Sequence, residues 1–125
     1  MHTLSIDAFQ PQIEHEIIQK YATAFNNRDH TSLVELFADE VKIPIHGIAA
    51  KETVSAWIKS ILISSGTNGT LHTGNLARRP AMYTQFPGLH GSTERQGYGT
   101  IKINTTGQIT ELEWADDPVT ALSIT

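Results

Sequence analysis

The sequence predicts an α+β cone, with three N-terminal helices packed in a curved antiparallel sheet. Three observations lead there. Apolar residues in the first half recur at the 3.6-residue period of helices, and those in the second half alternate at the two-residue period of strands. The strands are separated by short glycine- and proline-marked turns, so they meander. The chain has 125 residues, enough for one core shared by both kinds of element. It therefore reads as a single domain over residues 1–125, with an arm at 1–10 and a tail at 118–125.

Each element follows from its residues. Residues 1–10 carry no period. Pro11 suits the first turn of a helix, and Glu14 and Glu16 favour its positive end. Ile13, Ile17, Tyr21 and Phe25 then recur every four residues until Asn26-Asn27. Asp29 is an N-cap for a shorter second helix with Leu33, Val34, Leu36 and Phe37 on its apolar face. A strand spans Glu40 to His46 and ends at Gly47. Its parity sends Val41, Ile43 and Ile45 toward the core and His46 away.

A third helix runs from Ala50 to Ile63, with Val54, Trp57, Ile58, Ile61 and Leu62 on one face. After the loop Ser64–Thr70, strands are expected at 71–78, 81–86 and 94–104. Thr106-Gly107 turns the chain, residues 108–115 return, and Asp117-Pro118 ends the sheet. Such a sheet, curled around the first helix, leaves a pocket at its open end.

Composition narrows the function. The formal charge is −4, with 39% hydrophobic and 18% charged residues. Neither nucleic acid nor an anionic membrane is favoured as a partner. The chain contains no cysteine, which removes thiolate nucleophiles, disulfides and cysteine zinc sites. The opening residues lack the basic and apolar regions of a signal peptide, and no apolar run approaches a membrane span. A soluble cytoplasmic protein is expected. No metal-binding spacing, phosphate loop or serine-hydrolase elbow occurs, so neither metal nor cofactor is expected.

Two segments carry a family likeness. "QKYATAFNNRDHTSLVELFADE", Gln19 to Glu40, resembles the opening of the nuclear transport factor 2-like superfamily, which has the cystatin-like cone fold. An aromatic ends the first helix, then N-x-x-D precedes an L-x-x-L-F-A-D-E second helix. "TTGQITELEW", Thr106 to Trp114, resembles the family's closing hairpin. The resemblance covers most of the chain and includes SnoaL-like cyclases, ketosteroid isomerases and epoxide hydrolases.

Carried over residue by residue, Tyr21 matches the isomerases' oxyanion-directed tyrosine. Ile45 and Gly99 stand where their two acids would be, which argues against that chemistry. Trp114-Ala115-Asp116 has the spacing of the epoxide hydrolases' final-strand aspartate, and the cyclases also place an acid there. An Arg-x-Asp pair of the hydrolases has no equivalent.

The candidate site follows, each residue with two readings. Asp116 shares parity with Leu112 and Trp114. It is either a carboxylate at the end of an apolar wall, suited to acid–base work, or part of a solvated turn. Tyr21 either donates to a ligand oxygen or is a core tyrosine bonded to backbone. His46 is a structural or subunit-contact residue by parity; a bulge at Pro44 would instead turn it to the cavity as Asp116's partner. Trp57, Tyr83 and Trp114 are expected to line the cavity, with Arg95 binding substrate at its rim or forming a surface ion pair.

Gly97 and Gly99 would leave room for a ligand or permit a bend. His72 could approach the mouth, and His90 sits in a loop able to act as a lid. Tyr98 and Lys102 occupy the other face, where the resemblance implies homodimer contacts. Two functions result. One is a cofactor-free enzyme performing isomerisation, cyclisation, dehydration or epoxide opening on a hydrophobic small molecule. The other is a non-catalytic ligand-binding or dimerising module.

Overall fold

A computed structural model describes residues 6–65, 68–88 and 93–125. Helix α1, Ile6–Asn26, buries Ile17, Ile18, Tyr21, Ala22, Ala24 and Phe25. It begins at Ile6, so residues 6–10 are helical rather than part of an arm. Pro11 falls in its second turn, where it withdraws one backbone donor without ending the helix. At the other end, Arg28 adopts a left-handed φ of 55° and donates from its guanidinium to Phe25 O and Gly69 O. The Asn26 amide both donates to Leu71 O and accepts from Leu71 N, at 2.9 and 2.8 Å. That pair fixes the helix end to the first strand after the loop.

Helix α2, His30–Glu35, is capped by Asp29, whose carboxylate accepts from Ser32 N and Ser32 Oγ. Strand β1 is Phe37–Ile43 and β2 is Gly47–Ala50, paired antiparallel with Ile43 opposite Gly47. The expected single strand to His46 is therefore a hairpin. Pro44 has no N–H to extend the ladder, and Ile45 at φ 73° and Gly47 at φ 67° turn the chain back. Ile45, expected in the core, is 101% exposed, and His46 lies in the exposed turn.

Helix α3, Lys51–Ser65, buries Val54 and Ile58. Strands β3 (Thr70–Leu76), β4 (Arg79–Pro87), β5 (Thr93–Ile103) and β6 (Ile109–Ala115) complete a six-stranded sheet in the order β2-β1-β6-β5-β4-β3. The meander is antiparallel as expected. The β1–β6 pair, however, is parallel, because β6 closes the sheet against the strand that opened it. At the β5–β6 turn the Asn104 side-chain oxygen accepts from Thr106 N and Gln108 N, and Gly107 has φ 80°.

The helices pack on one face of the curved sheet around Phe37, Leu33, Ile58, Met82, Ile101 and Ile109, all fully buried. The expected tail is ordered against the other face. Asp117 caps a short helix α4, Pro118–Leu122, and Thr125 exchanges both backbone hydrogen bonds with Asn75, at 3.0 and 2.9 Å. Ala81, Ala121 and Ile124 are buried there, apart from the main core. Gly74 permits this approach, since a Cβ on it would lie 2.7 Å from Ile124 Cγ2. No helix among the described residues is long and apolar enough to cross a membrane.

The β3–β4 turn has Ala77 at φ 49° and Arg78 at φ 69°. Two consecutive left-handed residues match the hairpin twist but crowd each Cβ. Arg78→Gly relieves one of them and is expected to stabilise the protein by roughly 1 kcal/mol in urea unfolding. A destabilised variant would mean that the Arg78 side chain contributes more than its backbone costs.

Candidate functional site

A cavity of about 330 Å³ lies between α1, α3 and the sheet. The stripe of α1 supplies Tyr21 and Phe25, and α3 supplies Trp57 and Ile61. From β6 come Leu112 and Trp114, followed by Asp116; Pro44 and Ile45 of the hairpin turn stand beside them. Thr84, Phe86 and Gln96 close the sheet side, and Ser64 and Ser65 lie at the mouth beside the end of α3.

Tyr21 is 4% exposed, with its ring edge-on to Phe37 at 6.1 Å. Its hydroxyl makes no hydrogen bond among the described residues. None of their side-chain polar atoms is both fully buried and unpartnered, so the Tyr21 oxygen opens on the cavity. Burial pushes the phenol well above its ordinary pKa, because the phenolate would be desolvated. Tyr21 is therefore a neutral donor wherever the protein is folded at ordinary pH.

Trp114 forms the opposite wall. A Cβ at Gly99 would stand 2.6 Å from Trp114 Cε3, and one at Gly97 would stand 3.0 Å from its Cζ2. The indole thus occupies the room that the two glycines were expected to leave for a ligand. Its Nε1 donates to Asp116 Oδ1 at 3.1 Å. Leu112, Trp114 and Asp116 share a face, as their parity predicts, because the irregularity between β5 and β6 lies before them, between Lys102 and Ile103. Asp116 itself is exposed at the mouth and not embedded in an apolar wall.

The structure therefore brings Tyr21, Trp57, Trp114 and Asp116 to one cavity. It does not bring His46, Tyr83 or Arg95. His46 stays in the exposed turn, since the backbone turns at Pro44 instead of bulging, and it does not line the cavity beside Asp116. Arg95 was expected at the cavity rim or in a surface ion pair, and unbroken alternation along β5 would put it on the face of Gly97 and Gly99. From Tyr83↔Tyr98 to Gln85↔Arg95, β4 advances two residues and β5 three. This bulge reverses the side-chain parity. It aims Gln96 at the cavity and Arg95 away.

There the Arg95 guanidinium stacks 3.9 Å over the Tyr83 ring and donates to Ala121 O and Ile124 O, both at 2.9 Å. His72 stacks on the other side of Tyr83, with centroids 5.3 Å apart, and so faces away from the mouth. His90 lies outside the described residues. Phe25 and Ile61 read as core and Phe86 as strand filler; their helix and strand patterns carry no mark separating cavity wall from packed core. Gln96 could be placed only by knowing the bulge. Among the described residues no three His, Cys, Asp or Glu side chains gather to hold a metal.

No family model matches the sequence, and no curated protein matches it. Solved structures do match. RV0760c from Mycobacterium tuberculosis, in complex with estradiol-17beta-hemisuccinate, superposes with a TM-score of 0.63 at 19% identity, covering 86% of this chain and 96% of that one. The epoxide hydrolase/cyclase-like enzyme SalBIII gives 0.64 at 14%, covering 87% and 94%. An NTF2-like protein of unknown function from Exiguobacterium sp. 255-15 gives 0.59 at 16%, covering 81% and 98%.

The chain has the nuclear transport factor 2-like fold. At these identities the likeness is one of architecture: a sheet wrapped around a helix, as the Gln19–Glu40 and Thr106–Trp114 segments implied. In this version of the cone, the final strand carries a tryptophan laid flat on two glycines. Gly99→Ala forces that ring off the strand and is expected to cost roughly 1–3 kcal/mol in urea unfolding, with a shifted tryptophan emission. Wild-type stability with an unchanged spectrum would contradict the contact.

Proposed function

We propose that this chain binds an apolar small molecule carrying an acceptor oxygen, with the oxygen at Tyr21 and the hydrocarbon against Phe25, Trp57, Ile61 and Trp114. One observation carries the reading: a neutral, unpartnered hydroxyl donor faces an otherwise largely apolar hollow. An apolar pocket with a few placed polar groups is the usual form of a small-molecule site. The volume of about 330 Å³ is at the lower end for such sites. The steroid ester held by RV0760c, a protein of the same architecture, supports a ring-containing guest.

A second reading, proton-transfer catalysis, has its own support. Asp116 is a lining carboxylate able to take a proton, and Tyr21 lines the same cavity as a neutral hydrogen-bond donor. Asp116 would take a proton next to a carbonyl whose oxygen Tyr21 holds, a step worth ~10²–10⁴ in rate for a positioned base. SalBIII, which shares the fold, is an enzyme of epoxide hydrolase/cyclase type. His46 has no part in this scheme. The homodimer expected from the sequence remains part of the proposal; Lys42 and Lys102 bracket Glu111 on the face it would use, at 3.6 and 3.0 Å.

Thermal unfolding with 4-tert-butylcyclohexanone tests the binding. A saturable rise in Tm is expected, and no rise would refute the reading. Tyr21→Phe should weaken the affinity roughly three- to tenfold, the range of one hydrogen bond, without lowering the ligand-free Tm. For the catalytic reading, deuterium uptake at the ketone's α-carbon, followed by NMR in heavy water, should accelerate with the wild-type protein. It should fall to the background rate with Asp116→Asn; equal rates in the two proteins would remove Asp116 from the chemistry.

A further inference from the structure

We propose that the guest is elongated and leaves the cavity sideways, between the Pro44–His46 turn and β6, with its far end in the groove beside Lys42 and Glu113. This rests on the reading of the cavity as a binding site and extends it to the shape of the ligand. The wall is thin at that point. Pairing between β1 and β6 runs from Phe37↔Ile109 to Lys42↔Glu111 and stops. Beyond it, β6 is held by β5 on one side, with Gly99 opposite Trp114, while β1 has already ended. Pro44 has no N–H with which the turn could continue the ladder.

A surface groove of about 480 Å³ lies on the far side of this partition. Pro44, Ile45, Leu112 and Trp114 line both the groove and the cavity. One turn and two β6 side chains therefore separate the two spaces.

Ile45 marks the passage. It is β-branched, holds φ 73° and is 101% exposed. A left-handed backbone is unfavourable for such a residue, and so is a fully wetted isoleucine. Strained residues of this kind gather at ligand clamps. An alkyl chain passing over Ile45 would cover that surface, which nothing in the free protein does. On the groove side, Glu113 is exposed without an ion pair among the described residues, and Lys42 shares Glu111 with Lys102. The ligand class is thus an amphiphile: an apolar ring with an acceptor oxygen at one end, and a chain ending in a hydrogen-bond donor at the other.

A series of 4-alkylcyclohexanones from methyl to octyl, measured by isothermal titration calorimetry, tests the length. Affinity should rise roughly fourfold per methylene with no cut-off when the cavity is full. The octyl member, bearing a diazirine at its chain end, should photolabel Lys42, Gly47 or Glu113 when the adducts are located by mass spectrometry. Labelling confined to Ser64, Ser65 and Gln96, or affinity that collapses at short chain length, would overturn the side exit while leaving the binding site intact. Failure of even the methyl compound to bind would overturn the cavity reading and this inference with it.

Discussion

The contact on which the site depends is the indole of Trp114 lying against the backbone of Gly97 and Gly99. Any side chain at Gly99 would occupy the space of the ring. Because the ring lies flat on β5, it forms a wall instead of filling the hollow between α1, α3 and the sheet. The same orientation points its N–H at Asp116 and holds that carboxylate at the mouth. A bulkier β5 would lift the ring into the hollow, so two missing side chains preserve the space in the middle of the fold. This acts indirectly: the glycines make room for a protein ring, and the ring bounds the room for a guest.

The β5 bulge is the second determinant, since it decides which residues see the cavity. Without the extra residue opposite Thr84, Arg95 would point inward and Gln96 outward. With it, the Gly97 N–H is taken by Thr84 Oγ1 at 3.1 Å, and the arginine is free for the opposite face. There it stacks on Tyr83 and gathers two carbonyls from the segment after α4 has begun. The segment is further held by Thr125 pairing with Asn75 and by Ile124 packed against Gly74. A residue expected to bind substrate thus anchors the end of the described chain. That segment follows directly from Asp116, whose neighbour Asp117 caps α4.

The legible and illegible parts divide along physical lines. The faces of α1 and α3 were readable because apolar spacing directly encodes a buried face, and α3 lies within a residue or two of its expected bounds; α2 stops at Glu35, and Phe37, expected on its apolar face, instead opens β1. Asp29 as a cap and Gly107 as a turn were readable for the same local reason. The strand faces were readable only as long as the alternation ran unbroken. Ile45 was misplaced because a turn at Pro44 intervened, and Arg95 because a bulge did. The bulge is a one-residue event that reverses the side chains beyond it, the turn ends the strand outright, and both depend on tertiary fit. The residues after Pro118 looked like a tail because five helical residues show no period; what orders them is a distant arginine and a strand edge.

The cavity combines a donor that does not ionise with an acceptor that stands in water. Tyr21 is buried and neutral at its inner wall, and Asp116 is exposed at its mouth. A guest that satisfied only the tyrosine would be bound by its hydrocarbon and one hydrogen bond, which is enough for a carrier or a sensor. Proton transfer needs the same guest to place an acidic C–H within reach of a carboxylate that already accepts the Trp114 N–H on one oxygen. That bond leaves Oδ2 as the basic atom and fixes the side from which it can act. The choice between storage and chemistry therefore turns on how far the guest's reacting carbon lies from its anchored oxygen, a property of the ligand that this wall would select.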